Sequence, residues 1–298
     1  MRVGERTFLY DRPPRVAAHA SIVGPKESKG PLAAYFDESS QDDLFGQKTW
    51  EMGESEMLRR CAARAMEMGG LAPEETQALF CGDLNDQIIA TGFAARALSV
   101  PLVGLYGACS TFVEGLVLAA ALISGGQLQN ALCAASSHFC TAERQFRFPL
   151  EMGTQRPPSA QWTATAAGCA LLMAGDGTGL RVTAGTLGRI VDYKIKDANH
   201  MGAAMAPAVE STICAHLDDT GAAADDFDLI ATGDLGWIGR EILLQLFRER
   251  GRSLPPEKLV DCGASLFYQE QDTHAGGSGC GCVASVSCGW LMKRMERG

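Results

Sequence analysis

The chain has 298 residues, of which 46% are hydrophobic, 20% charged and 7% aromatic. This composition is typical of a globular protein and excludes disordered and collagen-like chains. The net charge is −9, from 26 basic and 35 acidic residues, and no basic cluster is present, which argues against nucleic-acid binding. The 11 cysteines are scattered and odd in number, so we expect free thiols in a reducing compartment.

The first fifteen residues carry charge throughout, so we expect no secretory signal peptide. Residues 115–142 contain no charged side chain, but the polar segment 124–130 divides them into stretches too short for a membrane span. The sequence therefore predicts a soluble protein that could still dock on a membrane complex.

Helical and extended patterns alternate along the chain. We predict an amphipathic helix at 54–68, a strand at 79–81 and a helix at 111–123, and residues 102–106 form a short apolar run. Two further strands are predicted at 130–135 and 166–174. This alternation indicates an α/β fold with buried sheets.

An internal repeat relates two parts of the chain. Residues 69–84 align without a gap on residues 220–235, with identical Gly-Asp-Leu triplets at 82–84 and 233–235. A helix precedes both segments, and each contains an acidic pair in its turn. We therefore predict two similar halves, an N-terminal one at 1–178 and a C-terminal one at 179–298.

Cys109 is the best candidate for a nucleophile. It follows the apolar run 102–106, and Thr111 and Glu114 have the spacing of a capping box, so a helix should begin directly after it. The positive end of a helix favours a thiolate and also suits a bound carboxylate. The alternative is a small buried thiol without a chemical role.

A second polar cluster follows the predicted strand at 130–135. His138 ends this segment, and Arg144 and Arg147 follow within two turns, so together they could bind a dianion. The alternative is a surface loop in which Glu143 pairs with these arginines. The glycine-rich turn 276–282 lacks the partners of a nucleotide-binding loop, so tight backbone packing is the favoured interpretation.

Seven motifs in this order resemble the stage V sporulation protein AD family, over nearly the whole chain: GACST at 107–111, ASSH at 135–138, ERQFRFP at 143–149, QRPPSAQWT at 155–163, NHMGAAMAPA at 199–208, TGDLG at 232–236 and GGSGCGC at 276–282. That family is part of the thiolase-like superfamily. The resemblance implies duplicated βαβαβαββ halves and five αβαβα layers with two mixed sheets. It also places Cys109 at the thiolase nucleophile position. Relatives continue past the residues that match 293–298, so the second half is expected to be short of its last strands.

Two departures from the thiolase pattern bear on activity. Residues 233–237 contain no histidine, and His274 is one residue too close to the glycine-rich turn. An acid at Asp234 would disfavour an enolate. Carbon–carbon bond chemistry is therefore not expected.

The resemblance implies non-enzymatic binding of dipicolinic acid for its uptake into the developing spore and its release in germination. No cofactor is expected, although calcium could accompany the ligand. The predicted ligand-binding residues are Cys109, Ser137, His138, Arg144, Arg147, Gln161, Trp162 and Asp234.

The resemblance also implies partners and a location. Other stage V sporulation A membrane proteins and a second copy of the chain are the expected partners, at the inner spore membrane. Two alternatives remain open. One is a condensing or acyl-transfer enzyme that uses Cys109 with His138 or His274, and the other is a structural subunit.

Overall fold

A computed structural model of the chain describes residues 1–146, 152–153 and 155–298. Within these residues the strands are β1 (Arg2–Val3), β2 (Thr7–Leu9), β3 (Arg15–Val23), β4 (Glu38–Ser39), β5 (Leu79–Gly82), β6 (Leu102–Gly104), β7 (Asn130–Ser137), β8 (Trp162–Thr163), β9 (Ala166–Met173), β10 (Ala184–Thr186), β11 (Ile230–Thr232), β12 (Leu259–Asp261) and β13 (Gly277–Ser278). The helices are α1 (Trp50–Gly69), α2 (Ile89–Leu98), α3 (Thr111–Ser124), α4 (Phe139–Phe146), α5 (Met201–Thr220), α6 (Gly236–Glu249), α7 (Cys262–Leu266), α8 (Cys280–Val286) and α9 (Met292–Arg297).

The largest sheet is mixed and has the strand order β4-β3-β9-β7-β5-β6. Strand β7 pairs in parallel with β5 and antiparallel with β9, and β9 pairs antiparallel with β3. The central strands β7 and β9 are buried along almost their whole length and consist mainly of alanine, cysteine and leucine. Their continuous apolar character is typical of strands that are covered on both faces.

Helices cover both faces of this sheet. Helix α1 packs on β3, β9 and β7 from one side, while α3 and α8 pack on it from the other. Gly168 in β9 explains how α8 comes so close, because a Cβ atom there would lie 2.2 Å from the carbonyl carbon of Ala284. The core thus consists of one helix layer, the sheet and a central layer of α3 and α8.

The second half continues this layering. Strands β11 and β12 form a parallel pair, and α5 and α6 pack together beside them around a separate apolar cluster. Val283 of α8 lies near Gly233, at the end of β11. Short pairings complete the described sheets, with β1, β2 and β10 forming an antiparallel set and β8 pairing with β13. The fold is therefore α/β with mixed sheets and helices, as predicted.

The internal repeat is confirmed in the backbone, where equivalent residues of the two halves are 151 positions apart in the chain. Helices α1 and α5 correspond residue for residue, and each ends at a left-handed glycine, Gly70 or Gly221. In both halves a short turn and a strand follow at equivalent positions of the repeat. In each turn an acidic side chain accepts a hydrogen bond from a backbone N–H, from Ala72 in the first half and from Ala223 in the second.

The predicted elements agree with the observed ones to within a few residues at their ends. The boundary near residue 178 stays a prediction; across it, β2 of the first half pairs with β10 of the second. None of the helices within the described residues combines the length and the apolar character that a membrane crossing requires.

Candidate functional site

Cys109 lies in a strained turn directly before α3. Ala108 adopts a left-handed backbone conformation with φ of 47°, which is unfavourable for a residue with a Cβ atom. Helix α3 begins at Thr111 as predicted, but the expected capping box does not form. The Thr111 hydroxyl instead accepts a hydrogen bond from the N–H of Gly107 and so closes the turn that carries the cysteine.

The thiol of Cys109 lies against the carboxyl group of Asp234. Burial, followed by the proximity of Asp234, raises the pKa of the thiol well above its ordinary value. The prediction of a thiolate at the helix start is therefore wrong. Desolvation and a neighbouring carboxyl group outweigh the effect of the helix terminus.

Asp234 is buried, and desolvation raises its pKa to about 8. Its Oδ2 accepts a hydrogen bond of 2.8 Å from the N–H of Gly279. Apart from the thiols of Cys109 and Cys282, Oδ1 has no partner within the described part of the chain. At neutral pH this acid is therefore mostly protonated and can donate a hydrogen bond.

Asp261 fixes the turn that carries Asp234. Its two carboxylate oxygens accept hydrogen bonds from the N–H groups of Leu235, Gly236 and Ala264, at 2.8–2.9 Å. The same side chain caps the N-terminus of α7. Sequence analysis missed this residue, although an aspartate before a short helix is a recognisable capping signal.

The glycine-rich turn joins the two halves at the site. Ser137, at the end of β7, donates to the carbonyl oxygen of Ala164 and accepts from the N–H of Gly281. A Cβ atom on Gly281 would lie 2.1 Å from the carbonyl oxygen of Ala166, so only glycine allows this approach. Ser137 therefore holds the backbone that presents the Gly279 N–H to Asp234.

Gln161 closes the site from a third segment. Its Nε2 donates to the carbonyl oxygens of Asp234 and Gly277, at 2.6 and 3.2 Å. Four predicted residues thus meet around one turn, namely Cys109, Ser137, Gln161 and Asp234.

Trp162 lies next to Gln161, in an aromatic stack. Its ring is parallel to that of Phe139, with centroids 3.7 Å apart and an interplanar angle of 6°. The Lys26 Nζ lies 4.0 Å from the Trp162 ring centroid, and the Arg156 guanidinium lies 5.2 Å from it. Neither Lys26 nor Arg156 was identified from the sequence, because no local pattern connects them.

The predicted group of His138 and two arginines is not assembled as expected. His138 donates from Nε2 to the carbonyl oxygen of Asp43, and its Nδ1 accepts from the N–H of Cys140. Arg144 pairs with Glu51 and lies over the Trp50 ring, at the start of α1. Arg147 lies outside the described residues.

His274, the other histidine considered, also has contacts elsewhere. Its Nε2 lies 3.8 Å from a carboxylate oxygen of the exposed Asp272. Around Cys109 and Asp234, the Gly279 N–H thus donates to Asp234 and the Gln161 amide donates to two backbone carbonyl oxygens.

The first half has its own buried acid, Asp83, at the position that aligns with Asp234 in the internal repeat. Asp83 accepts backbone hydrogen bonds from Asn85 and Thr91 on its two oxygens. Glu54 lies nearby and accepts from the side chains of Asn85, Ser136 and Thr141. The two carboxyl groups influence each other, and burial raises the pKa of Glu54 to about 8.

Solved structures of condensing enzymes share this fold. The cerulenin-bound OleA of Xanthomonas campestris superposes with a TM-score of 0.62 at 17% identity, covering 98% of this chain and 90% of OleA. The 3-oxoacyl-(acyl carrier protein) synthase III FabH of Pseudomonas aeruginosa PAO1 gives a TM-score of 0.55 at 17% identity, covering 91% of this chain and 87% of FabH. At this identity the likeness concerns the fold, which is thiolase-like.

Sequence comparison is more specific. A protein of Bacillus subtilis (strain 168), stage V sporulation protein AD, is 38% identical over 295 residues, which are 99% of this chain and 87% of that protein. The family model of stage V sporulation protein AD (SpoVAD) matches residues 4–298. The chain therefore belongs to the stage V sporulation protein AD family.

Proposed function

We propose that this protein binds dipicolinic acid without converting it, and that it acts in the uptake of this acid into the developing spore and in its release during germination. The observation that carries the proposal is the pairing of Cys109 with Asp234. Both groups are held in their protonated forms, because desolvation raises both pKa values. A site of this kind offers hydrogen-bond donors to carboxylates and has neither a thiolate nor an ionised base at its centre.

A pyridine dicarboxylate is flat and carries two negative charges at neutral pH. The protonated Asp234 would donate to one carboxylate oxygen, beside the thiol of Cys109 and the first amides of α3. Calcium could enter with the ligand, bound to its carboxylates. Membership of a sporulation family supports a ligand that belongs to spore formation.

Titration calorimetry with dipicolinate, with and without calcium, tests this function. We expect saturable binding at one site per chain by the wild-type protein. Asp234→Asn, which stays neutral and keeps a donor, should retain binding, whereas Asp234→Leu should weaken it by about tenfold or more. Asp225→Asn, an exposed acid in the second-half turn, is the matched control.

The pH dependence of binding gives an independent check. Ionisation of Asp234 would place a negative charge against a dianion, so wild-type affinity should fall as pH rises through about 8. Asp234→Asn should bind equally well across this range. A folded wild-type protein that shows no dipicolinate binding would overturn the proposal. Arg144→Ala and Arg147→Ala test whether the two arginines predicted from their position after the strand that ends at His138 take part.

One observation favours a second candidate function, acyl transfer. Cys109 follows a strained residue at a helix start, as an attacking cysteine would. Incubation with an acyl-coenzyme A thioester, followed by intact-mass measurement, distinguishes the two functions. Acylation of the wild-type protein but not of Cys109→Ala would establish the enzyme, and we expect no mass increase in either.

We also propose that the protein forms a homodimer and contacts other stage V sporulation A membrane proteins at the inner spore membrane. Support for the dimer comes from β6, the last strand of the large sheet, whose residues are all exposed. An unpaired edge of this kind is suited to a second chain.

A further inference from the structure

Two cations flank the aromatic stack beside the site. Lys26 lies over the Trp162 ring, and Arg156 lies 5.6 Å from the Phe139 ring centroid as well as over Trp162. We call Lys26, Phe139, Arg156 and Trp162 the cation–aromatic cluster. All four side chains are partly buried.

The two cations differ in their partners. Arg156 forms an ion pair of 3.5 Å with the nearly buried Glu143. Lys26 has no hydrogen-bond acceptor among the residues that the structure describes. Its ammonium lies over the face of the indole ring, and the carboxyl groups of Glu27 and Asp272 are near enough to favour its charged form. Because partial burial disfavours its charged form, this lysine would gain from an anion placed next to it.

The cation–aromatic cluster is continuous with the Asp234 site. Glu143 accepts a hydrogen bond of 3.4 Å from the Thr163 hydroxyl. The methyl group of Thr163 packs against Gly279, whose N–H donates to Asp234. Trp162 is also in register with Gly277 of the same glycine-rich turn. Gln161 and Trp162 are consecutive in the chain, and the first contacts Asp234 while the second contacts Lys26.

We infer that the cation–aromatic cluster is an anion-binding subsite of the ligand pocket and receives one carboxylate of an aromatic dicarboxylate. This inference rests on the proposed function. Lys26 supplies the charge and three donors, and Arg156 adds a second positive charge. The subsite takes the place of the cationic group predicted from His138 and Arg144, whose contacts are with other residues.

Charge balance explains why a second carboxylate would bind here. The protonated Asp234 can donate to a carboxylate but cannot neutralise it. A dianion bound at Asp234 alone would keep its full charge in a poorly solvated site, which is strongly unfavourable. Both faces of the Trp162 ring are occupied, by Phe139 and Lys26, so the ring positions the lysine and does not stack on the ligand.

The test compares two ligands that differ by one carboxylate. Calorimetric titrations with dipicolinate and with picolinate, its monocarboxylate analogue, are made on the wild-type protein, Lys26→Met, Lys26→Arg and the control Lys29→Met. Lys29 is exposed and lies on the same short turn, so its removal matches the change in net charge. Equal urea midpoints of the variants show that each is folded.

We expect Lys26→Met to lose about tenfold or more in dipicolinate affinity, while picolinate affinity changes little. Lys26→Arg should retain most of the binding, and Lys29→Met all of it. Trp162→Phe should also retain binding, whereas Trp162→Leu should lose it together with the lysine position.

Different results would overturn the anion-binding subsite and the proposed function. Dipicolinate binding by Lys26→Met with wild-type affinity would overturn the subsite and leave the proposed function intact. Equal losses for dipicolinate and picolinate would also overturn the assignment of Lys26 to the second carboxylate. A wild-type protein that binds neither compound would overturn the proposed function itself.

Discussion

The charge of an interior carboxyl group in this protein depends on its burial and on its donors. Desolvation raises the pKa of Glu54 and Asp234 to about 8 and that of Glu27 to about 7. Asp261 is also buried, but four hydrogen-bond donors limit the rise of its pKa to about 6. At neutral pH the interior therefore contains protonated acids, whose protons bind more tightly in the folded chain than in the unfolded one.

This difference predicts how stability depends on pH. A carboxyl group with a raised pKa stabilises the folded state fully below its unfolded pKa, and the contribution is lost as pH rises through the folded pKa. For Asp234 the window extends from about 4 to about 8. We expect the free energy of unfolding to fall across it, with Asp234 contributing on the order of 1–2 kcal/mol between pH 6 and pH 8.

Urea unfolding at several pH values measures this slope. Asp234→Asn should make the slope shallower by the contribution of one titrating proton. Asp225→Asn, which removes an exposed carboxyl group, is the control. A wild-type stability that rises from pH 6 to pH 8 would contradict the raised pKa values.

For single residues, the sequence predicted that Cys109 and Asp234 belong to the site but not the protonation state of their side chains. The position of Cys109 before a helix followed from local pattern, but its neighbour Asp234 comes from the other half of the chain. His138 and Arg144 contact Asp43 and Glu51, which precede or begin α1 and show no sequence relation to them. Lys26 and Arg156 meet only through tertiary packing on Trp162.

Helices α1 and α5 both end at a left-handed glycine, but equivalent residues on their inner faces are buried to different degrees. In α1 the inner face is fully buried, as at Cys61, Ala62 and Ala65. The corresponding residues of α5 are only partly buried: Thr212, Ile213 and His216. The difference arises because α1 packs on β3, β9 and β7 of the large sheet, whereas α5 packs mainly on α6.

The shared ending predicts equal effects of one substitution in both halves. Gly70 and Gly221 adopt φ of 64° and 71° in open surroundings, so an alanine there would be strained but would not clash. We expect Gly70→Ala and Gly221→Ala each to lower the free energy of unfolding by about 1 kcal/mol. Urea unfolding measures both.

Gly92→Ala provides the control, since it lies in α2 with open space and an ordinary helical backbone. It should be neutral or slightly stabilising. A large cost at only one of the two end glycines would contradict the equivalence of the two helix endings.

Element positions could be predicted because hydrophobic periodicity is a local property. The helix at 54–68 was found because its core-facing residues recur at regular spacing, and the strands at 79–81 and 130–135 because each is a short, mostly apolar run. Short strands such as β8 and β13 escaped prediction, since two residues carry no periodicity. Their pairing is a result of the tertiary fold.

At the scale of the whole molecule, apolar side chains are exposed around one edge of the large sheet. Leu102 and Val103 of β6 are 38% and 40% exposed, and Phe93 of the neighbouring α2 is 50% exposed. An exposed edge strand with apolar neighbours is normally covered by another chain. This arrangement supports the proposed homodimer.

Light scattering after gel filtration tests the dimer. The wild-type protein should elute with twice the mass of the chain, and Val103→Lys should elute as a folded monomer because a buried charge at the interface is unfavourable. Leu187→Lys places the same charge at another exposed leucine and should remain dimeric. A wild-type monomer would rule out a dimer through this edge.

Asp83 and Asp234 occupy equivalent positions in the repeat but differ in what they hold. Asp83 accepts hydrogen bonds from the N–H groups of Asn85 and Thr91, so a substitution there removes both. In the second half Asp261 accepts from the N–H groups of Leu235 and Gly236, and Asp234 accepts from the N–H of Gly279. The turn after β11 is therefore anchored by a residue other than Asp234, and we expect a change of side chain at Asp234 to destabilise the fold less than the same change at Asp83.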